Sequence, residues 1–359
     1  MRMIKSGKFN DKKILLIEKE PKTKNDRTWC FWEQENGLFQ DIVFKEWETI
    51  SVKSEKYGPD LPIHPYKYKM IRGIDFYDHC FTEILQHHNI EVCYANLGDI
   101  KVDGHKVDLV LDKKLYTLHA AIVFNSFYRP APPAIGDIRL LQHFKGWMIE
   151  TAIPAFDPAV ATIMDFRVPQ PEGTTFAYIL PFSSTKALIE YTLFTPELLE
   201  KNEYDKRLTF YIEKVLNIRN YKKVEEETGI IPMTNEKFIF EGQGWMIGTA
   251  GGQTKSSSGY TFQFIQKHAQ EITDLLIRKK SLRKLKPQPS RFSFYDNTLL
   301  EILYHNKVPG KQIFTRLFIK NKPQQVLRFL DNESTVRDEL KIISSLPVWP
   351  FFKAAMKQI

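Results

Sequence analysis

The sequence predicts an α/β protein in which a parallel α/β segment is interleaved with an antiparallel sheet and followed by a helical C-terminal part. Three observations carry this. Ile14 to Ile17 is a short apolar run closed by Glu18, the pattern of a buried parallel strand. Between Lys145 and Phe194 the chain changes to consecutive strand-like runs joined by short turns. The last eighty or so residues show helical spacing in "NTLLEILYHN", "QQVLRFL" and "TVRDELKII", with "LPVWPFF" as the stop.

Taken in order, Met1 to Ser6 reads as the last turns of a helix, with Gly7 where a C-cap belongs. A helix tail, a turn and a strand ending in an acid form the back of a βαβ nucleotide-binding unit. Its front, a strand and a G-x-G-x-x-G turn, is expected upstream, which makes Met1 an internal methionine or a truncation point. Next, "HPYKYKMIRGIDFYDHCFTEILQHHNIEV" predicts a short strand, a cap at Asp75 and an amphipathic helix with Phe76, Cys80, Phe81 and Leu85 on one face. Ala120 to Phe127 is a further apolar strand, and the breaker "YRPAPPAIGD" after it is the expected domain boundary.

The antiparallel segment carries "GWMIETA", "VATIMDFRV", "TFAYILPF" and "ALIEYTLF", the last two joined by Ser183, Ser184 and Thr185, a hairpin length. Alternation places Leu188, Glu190, Thr192 and Phe194 on one face, and the hairpin sets Tyr178 opposite Glu190. Asp165 and Arg167 share a face two residues apart, either as a relay carboxyl with its partner or as a structural ion pair. A strand from Trp245 to Ile247 then leads through "GTAGGQTKSSSG" into a helix with Ile265, Ala269, Ile272 and Leu276 at helical spacing. That turn is either an ordinary glycine-rich loop or a place where backbone N–H groups meet a ligand at a helix N-terminus. Glu18, otherwise a plain surface acid, could hold a ribose hydroxyl pair in the second case.

Composition limits the classes. A chain of 359 residues with 43% hydrophobic and 26% charged residues is globular and large enough for two domains. Cys30, Cys80 and Cys93 are odd in number and lack a C-x-x-C spacing, so neither a disulfide framework nor a zinc site is supported, and a reducing compartment fits. His87, His88 and His143 show no metal-ligand spacing, and no metal is assigned. No apolar run is long enough to cross a bilayer, and no signal-peptide pattern occurs. The net charge of +8 concentrates in "IRKKSLRKLKPQPSR", Ile277 to Arg291, a solvated helix end or a membrane-surface contact. No nucleic-acid-binding signature accompanies it.

Several blocks together, "ILLIEKEPKTKNDRTWCFW", "LQHFKGWMIET", "MDFRVPQ", "FAYILPFSSTKALIEYTLF", "ETGIIPMT", "GTAGGQTKSSSGYTF", "TRLFIKNKPQQVLRFLDNEST" and "SLPVWPFF", resemble the lycopene β-cyclase family of flavoproteins. The resemblance spans nearly the whole chain. It implies a flavin hydroxylase-like fold: an FAD-binding Rossmann-like domain over 1–137, N-terminally incomplete, an antiparallel substrate domain over 138–235, a returning FAD-binding segment over 236–276 and a helical part over 277–359. It implies reduced FAD held by Glu18, Arg27, Gly248, Gly251 and Gly252, with NAD(P)H as reductant. It also implies lycopene and related linear carotenoids as substrates, and a cytoplasmic enzyme peripheral on the inner membrane face. Ring closure needs a proton donor aimed at a terminal alkene, an environment that tolerates a tertiary carbocation, a base and a dry pocket. Glu190 matches the family's catalytic glutamate, and a lone carboxyl among apolar neighbours is kept in its acid form by desolvation; the alternative is a strand carboxyl facing solvent. Asp165 is the second catalytic candidate. Trp349, Phe351 and Phe352 join the basic run as candidate membrane contacts. A flavin monooxygenase or polyene reductase on the same fold, and a non-catalytic polyene-binding product, remain open alternatives.

Overall fold

Helix α1 (Arg2–Ser6) ends at Gly7 in the left-handed conformation, φ 64°, which glycine adopts without strain. The computed structural model describes residues 1–129, 134, 136–236, 242, 244–285 and 289–358. The centre of the proline cluster expected as a domain boundary, and part of the basic run before Arg291, lie outside them.

Strand β1 (Ile14–Glu18) is followed by β2 (Thr28–Glu33), β3 (Lys45–Trp47), β4 (Thr49–Lys53), β5 (Asp60–Pro62), β6 (Lys67–Arg72), helix α2 (Gly73–Leu85) and β7 (Ile90–Tyr94). An antiparallel ribbon of β8 (Leu97–Asp103), β9 (Lys106–Leu111) and β10 (Lys114–His119), absent from the sequence-based expectation, precedes β11 (Phe124–Asn125). Then come β12 (Arg139–Thr151), β13 (Val160–Asp165), β14 (Thr174–Pro181), β15 (Lys186–Thr195), helix α3 (Lys201–Phe210) and β16 (Tyr221–Thr234). After β17 (Trp245–Met246) the chain is helical: α4 (Phe262–Ile277), α5 (Ser290–Tyr304), α6 (Gly310–Lys320), α7 (Pro323–Leu330), α8 (Val336–Ser345) and α9 (Val348–Met356).

Outside the large sheet, β1 pairs in parallel with β7 and β11 with β17. The large sheet has seven strands in the order β16-β12-β15-β14-β13-β4-β5. Its β13–β4 pair is parallel and its other pairs are antiparallel. Strands β4 and β5 come from the first 137 residues, so the expected division at 137/138 does not separate the two sheets in space. Alternation along β15 gives each face its own core. Leu188 and Phe194 pack with Trp32, Tyr68, Phe176 and Phe314. Ala187, Ile189, Tyr191 and Leu193 pack with Leu208, Tyr211 and Ile212 on the α3 side. Each fully buried side chain of this size contributes roughly 1.5–3 kcal/mol, so both faces of β15 are fixed and its register cannot slip without exposing one set.

Two expected details differ. Asp75 does not cap α2: β6 runs directly into the helix, with Arg72 at the N-cap position, and Arg72 Nε donates to Asp75 Oδ2 at 2.6 Å inside the first turn. The buried face of α2 is Gly73, Tyr77 and Cys80, while Leu85 is 74% exposed. "LPVWPFF" does not stop the helical region but opens α9, with Pro347 at the N-cap and Pro350 in the first turn, where no intrahelical N–H is required. The three cysteines are free.

His143 on β12 is fully buried between Thr195 Oγ1, 2.6 Å from Nε2, and the Tyr204 hydroxyl, 2.5 Å from Nδ1. Burial pushes its pKa down to about 4. An unfolded histidine titrates near 6.5, so between those values the unfolded chain binds the extra proton and stability is lost as pH falls. Urea midpoints measured across that window should decline toward acid, and His143→Gln should flatten this part of the profile.

Candidate active site

The hairpin of β14 and β15 places Tyr178 directly across from Glu190, on the face that also carries Leu188. Glu190 is 9% exposed and sits in the wall of a cavity of about 870 Å³. Cys30, Tyr68, Phe144, Leu180 and Tyr260 share that wall. Desolvation first, and then the neighbouring carboxyl of Glu227, holds the Glu190 carboxyl well above the usual carboxylate range. Both effects favour its acid form. Burial likewise pushes up the phenols of Tyr68 and Tyr178, and that of Tyr260 to about 12, so these three rings stay neutral; Asp26, Arg27 and Arg139 put charge elsewhere in the same wall.

Glu227 was hidden in the sequence because it ends the charged run "KKVEEE" of β16 and reads as a solvated strand face. In the fold Gly146 of β12 is in register with Glu190 on one side and Glu227 on the other. A side chain at Gly146 would begin 2.8 Å from Glu190 Cγ and 3.3 Å from Glu227 Cγ, so the missing Cβ is what lets the two carboxyls meet. Thr28 Oγ1 donates to Glu227 Oε2 at 2.7 Å, which aims the other oxygen, Oε1, away from solvent and without a partner. One turn of the pleat away, Gly229 makes room in the same fashion for the Phe144 ring. Glycines inside strands mark close approaches, and these two were the sequence signal for the site.

Asp165 is not part of this constellation. It pairs with Ala177, whose side chain lies in the core on the α3 side of the sheet, and it is fully buried there. Arg167 donates through Nε and Nη2 to its two oxygens, and the Tyr211 hydroxyl donates to Oδ2 at 2.7 Å. Burial alone would raise its pKa, but these donors outweigh that and hold it below the ordinary value. Its geometry is that of a structural ion pair.

Glu18 closes β1, where it accepts from the Lys19 backbone N–H at 2.8 Å and pairs with Lys22 at 3.0 Å. Arg27 lines the cavity, half-exposed and paired with Asp26 at 2.9 Å. Gly248 and Gly252 have φ of 64° and 75°, and a Cβ on Gly251 would fall 2.4 Å from the Met246 carbonyl oxygen, so these three positions favour glycine. Thr249 of this turn reaches the cavity wall. The stretch from Gly248 to Gly259 leads into α4 with Tyr260 and Thr261 between them, but its glycine cluster at 248–252 stands nine residues before the helix, and the amides of Gly251, Gly252 and Gln253 bond to the carbonyls of Ile247, Thr249 and Gly248. This intervening loop is anchored by Lys255, 1% exposed, whose Nζ lies 2.7 Å from both Asp296 Oδ1 on α5 and Asn332 Oδ1 after α7. Ser257 Oγ donates to the same Asp296 oxygen at 2.6 Å. Among the described residues no group of three or more His, Cys, Asp or Glu side chains could hold a metal ion.

Architectures of this kind occur in flavin-dependent enzymes. A flavoprotein/dehydrogenase from Cytophaga hutchinsonii superposes with a TM-score of 0.66 at 10% identity, over 99% of this chain and 95% of that one. The flavin-dependent brominase Bmp2 gives 0.62 at 13%, over 99% and 95%. A geranylgeranyl bacteriochlorophyll reductase-like protein from Thermoplasma acidophilum gives 0.60 at 12%, over 99% and 96%. The fold is thus that of the FAD-dependent monooxygenases and reductases. The chain belongs to the lycopene cyclase family, whose description as lycopene cyclase protein matches residues 5–356. No curated protein sequence matches it. Family and fold together mark it as an enzyme.

Proposed function

We propose that this enzyme is a lycopene β-cyclase, closing the linear ends of lycopene into β-ionone rings to give β-carotene by way of γ-carotene. The observation that carries this is the placement of Glu190: a buried carboxyl, its acid form favoured by desolvation, in the wall of a cavity that many aromatic and aliphatic side chains line. Its proton is delivered to the terminal alkene, and the rings of Phe144, Tyr68, Tyr178 and Tyr260 face the cation that results, contributing cation–π stabilisation. The same carboxylate, regenerated, takes the ring proton.

The residues fit a flavin nucleotide. The turn at 248–252, with glycine at three of its five positions, reaches the cavity wall through Thr249, and Arg27 lines the same space. Glu18 would hold a ribose hydroxyl pair, and Arg27 with the turn would hold the remainder of FAD. When bound in the reduced form, kept so by NAD(P)H, it supplies negative charge beside a developing cation. Expression of the chain in a lycopene-accumulating host, followed by pigment analysis, tests the proposal. Cyclised carotenoid supports it; oxygen uptake with NADPH and hydroxylated or saturated product would assign a monooxygenase or reductase instead.

Lycopene resides in the bilayer, so peripheral attachment to the inner membrane face is part of the proposal. Among the described residues no helix is long and apolar enough to cross a membrane. On α9, Val348, Trp349, Phe352 and Met356 are all more than half exposed, and Trp349 stacks on Phe352 with centroids 5.9 Å apart. Phe351, grouped with them in the sequence, instead packs against the core. In the basic run, Arg278, Lys279, Lys280, Arg283 and Lys284 are exposed, whereas Arg291 is committed to Glu339. Each free cation near an anionic surface is worth about 1 kcal/mol. Flotation with phosphatidylserine-containing vesicles should fall about tenfold or more in a Trp349→Ser, Phe352→Ser double variant, and again when those five cations are neutralised. Unchanged flotation in both would remove these surfaces from the contact.

A further inference from the structure

Building on the cyclase reading, we propose that Glu227 is the positioning residue of Glu190, the two carboxyls sharing one proton across the gap left by Gly146. Glu227 does not line the cavity, but it stands directly behind the residue that does. Thr28 occupies one of its oxygens, and the other is buried without a hydrogen-bond partner. A buried acceptor of this kind costs free energy unless a donor reaches it. The group in reach is the Glu190 carboxyl, which can donate only in its acid form. The surroundings agree. Thr28 and Cys30 come from β2, Tyr68 from β6, Tyr178 from β14 and Tyr260 from the loop before α4, and none of these is a cation. Glu227 is the charged group that acts on Glu190, so the two cannot both ionise without strong mutual repulsion.

The sharing has a chemical use that balances over the reaction. The Glu190 O–H bond breaks as a C–H bond forms at the terminal alkene carbon, leaving a carboxylate and a tertiary carbocation. The π electrons of a second double bond of the chain attack the cationic carbon, the neighbour of the one protonated, so that a C–C bond closes the ring and the positive charge passes to the far carbon of that second double bond, now a ring atom. An adjacent ring C–H bond then breaks, its electron pair becomes the ring double bond, and the proton returns to Glu190. The pair begins and ends with one proton. Between those points it holds two negative charges side by side, which favour the cation in front of them and drive the proton's return.

The test reads the proton itself. An infrared titration of the purified chain should show a carboxylic-acid carbonyl band, assigned by its loss in Glu190→Gln, that persists far above the ordinary carboxyl range. In Glu227→Gln the midpoint of that band should fall by a unit or more, a tenfold or greater loss of proton affinity, and cyclisation should drop about 10²-fold, the lower range for a mispositioned acid–base group. Gly146→Ala keeps both carboxyls and wedges them apart, so it should lower the midpoint in the same direction even if Glu227→Gln folds poorly. A midpoint unmoved in both variants overturns the proposal, including when activity falls, because that pattern marks a structural role. A coupled midpoint in a chain that forms no rings would uphold the shared proton while removing the cyclase reading beneath it.

Discussion

Glu190→Gln is expected to fold, to keep its cavity and to lose ring formation by at least roughly 10²–10⁴-fold, the usual worth of a positioned acid, since no water stands in for it in a dry pocket. The glutamine amide can donate to Glu227 as the acid does, so the local hydrogen bonding survives while the transferable proton is gone. The variant should also be at least as stable as the parent at neutral and alkaline pH. A carboxyl whose pKa is raised on folding binds its proton more tightly in the folded chain, so its contribution is fully present below the unfolded pKa near 4.3 and is lost as pH rises toward the folded value. Removing that carboxyl removes the loss. Pigment analysis and urea midpoints at two pH values check both halves. Near-parental conversion by Glu190→Gln would place the acid elsewhere.

Asp165→Asn should do the reverse. Breaking a buried pair costs roughly 3–5 kcal/mol, and the lower end applies because Arg167 is 35% exposed and can recover water. The stabilisation that Asp165 provides is present above the unfolded carboxyl pKa near 3.9 and disappears as pH falls through its lower folded value, so the variant should be less stable at neutral pH and less sensitive to acid. At temperatures where it remains folded it should cyclise at near-parental rate. A normal urea midpoint with lost activity would restore Asp165 as a relay.

These two residues show what the sequence could and could not disclose. Alternation along "ALIEYTLF" and the short loop before it place Glu190 and Tyr178 together, because both are local: one strand, one hairpin, and apolar neighbours on either side. Asp165 in "MDFRV" read equally well as a relay carboxyl or as half of a structural ion pair. An irregularity in the β13–β14 pairing, between Thr162 and Asp165, sets it on the other face, and nothing in a single strand announces that. Glu227 required a pairing between strands far apart in the chain, and its neighbours Glu225 and Glu226 disguised it as surface. Helix ends were similarly opaque: Asp75 has the chemistry of a cap, but the strand before it enters the helix without the turn a cap would terminate.

The anchoring of Lys255 bears on the order in which the molecule assembles. Its ammonium is fully buried; the carboxylate that neutralises it, Asp296, lies 41 residues further along on α5, and the amide oxygen that also accepts from it, Asn332, lies 77 residues along, just beyond α7. Until those helices dock, closing the loop would bury an uncompensated charge, a step costly enough to keep it open. The sheet and its carboxyls can form from contacts within the preceding residues, but the wall formed by Ser258, Gly259 and Tyr260 must wait for the C-terminal helices to arrive. The cavity wall is thus tied to the docking of the C-terminal helices, and whatever binds there should lose affinity when that docking is weakened, as by Asp296→Asn.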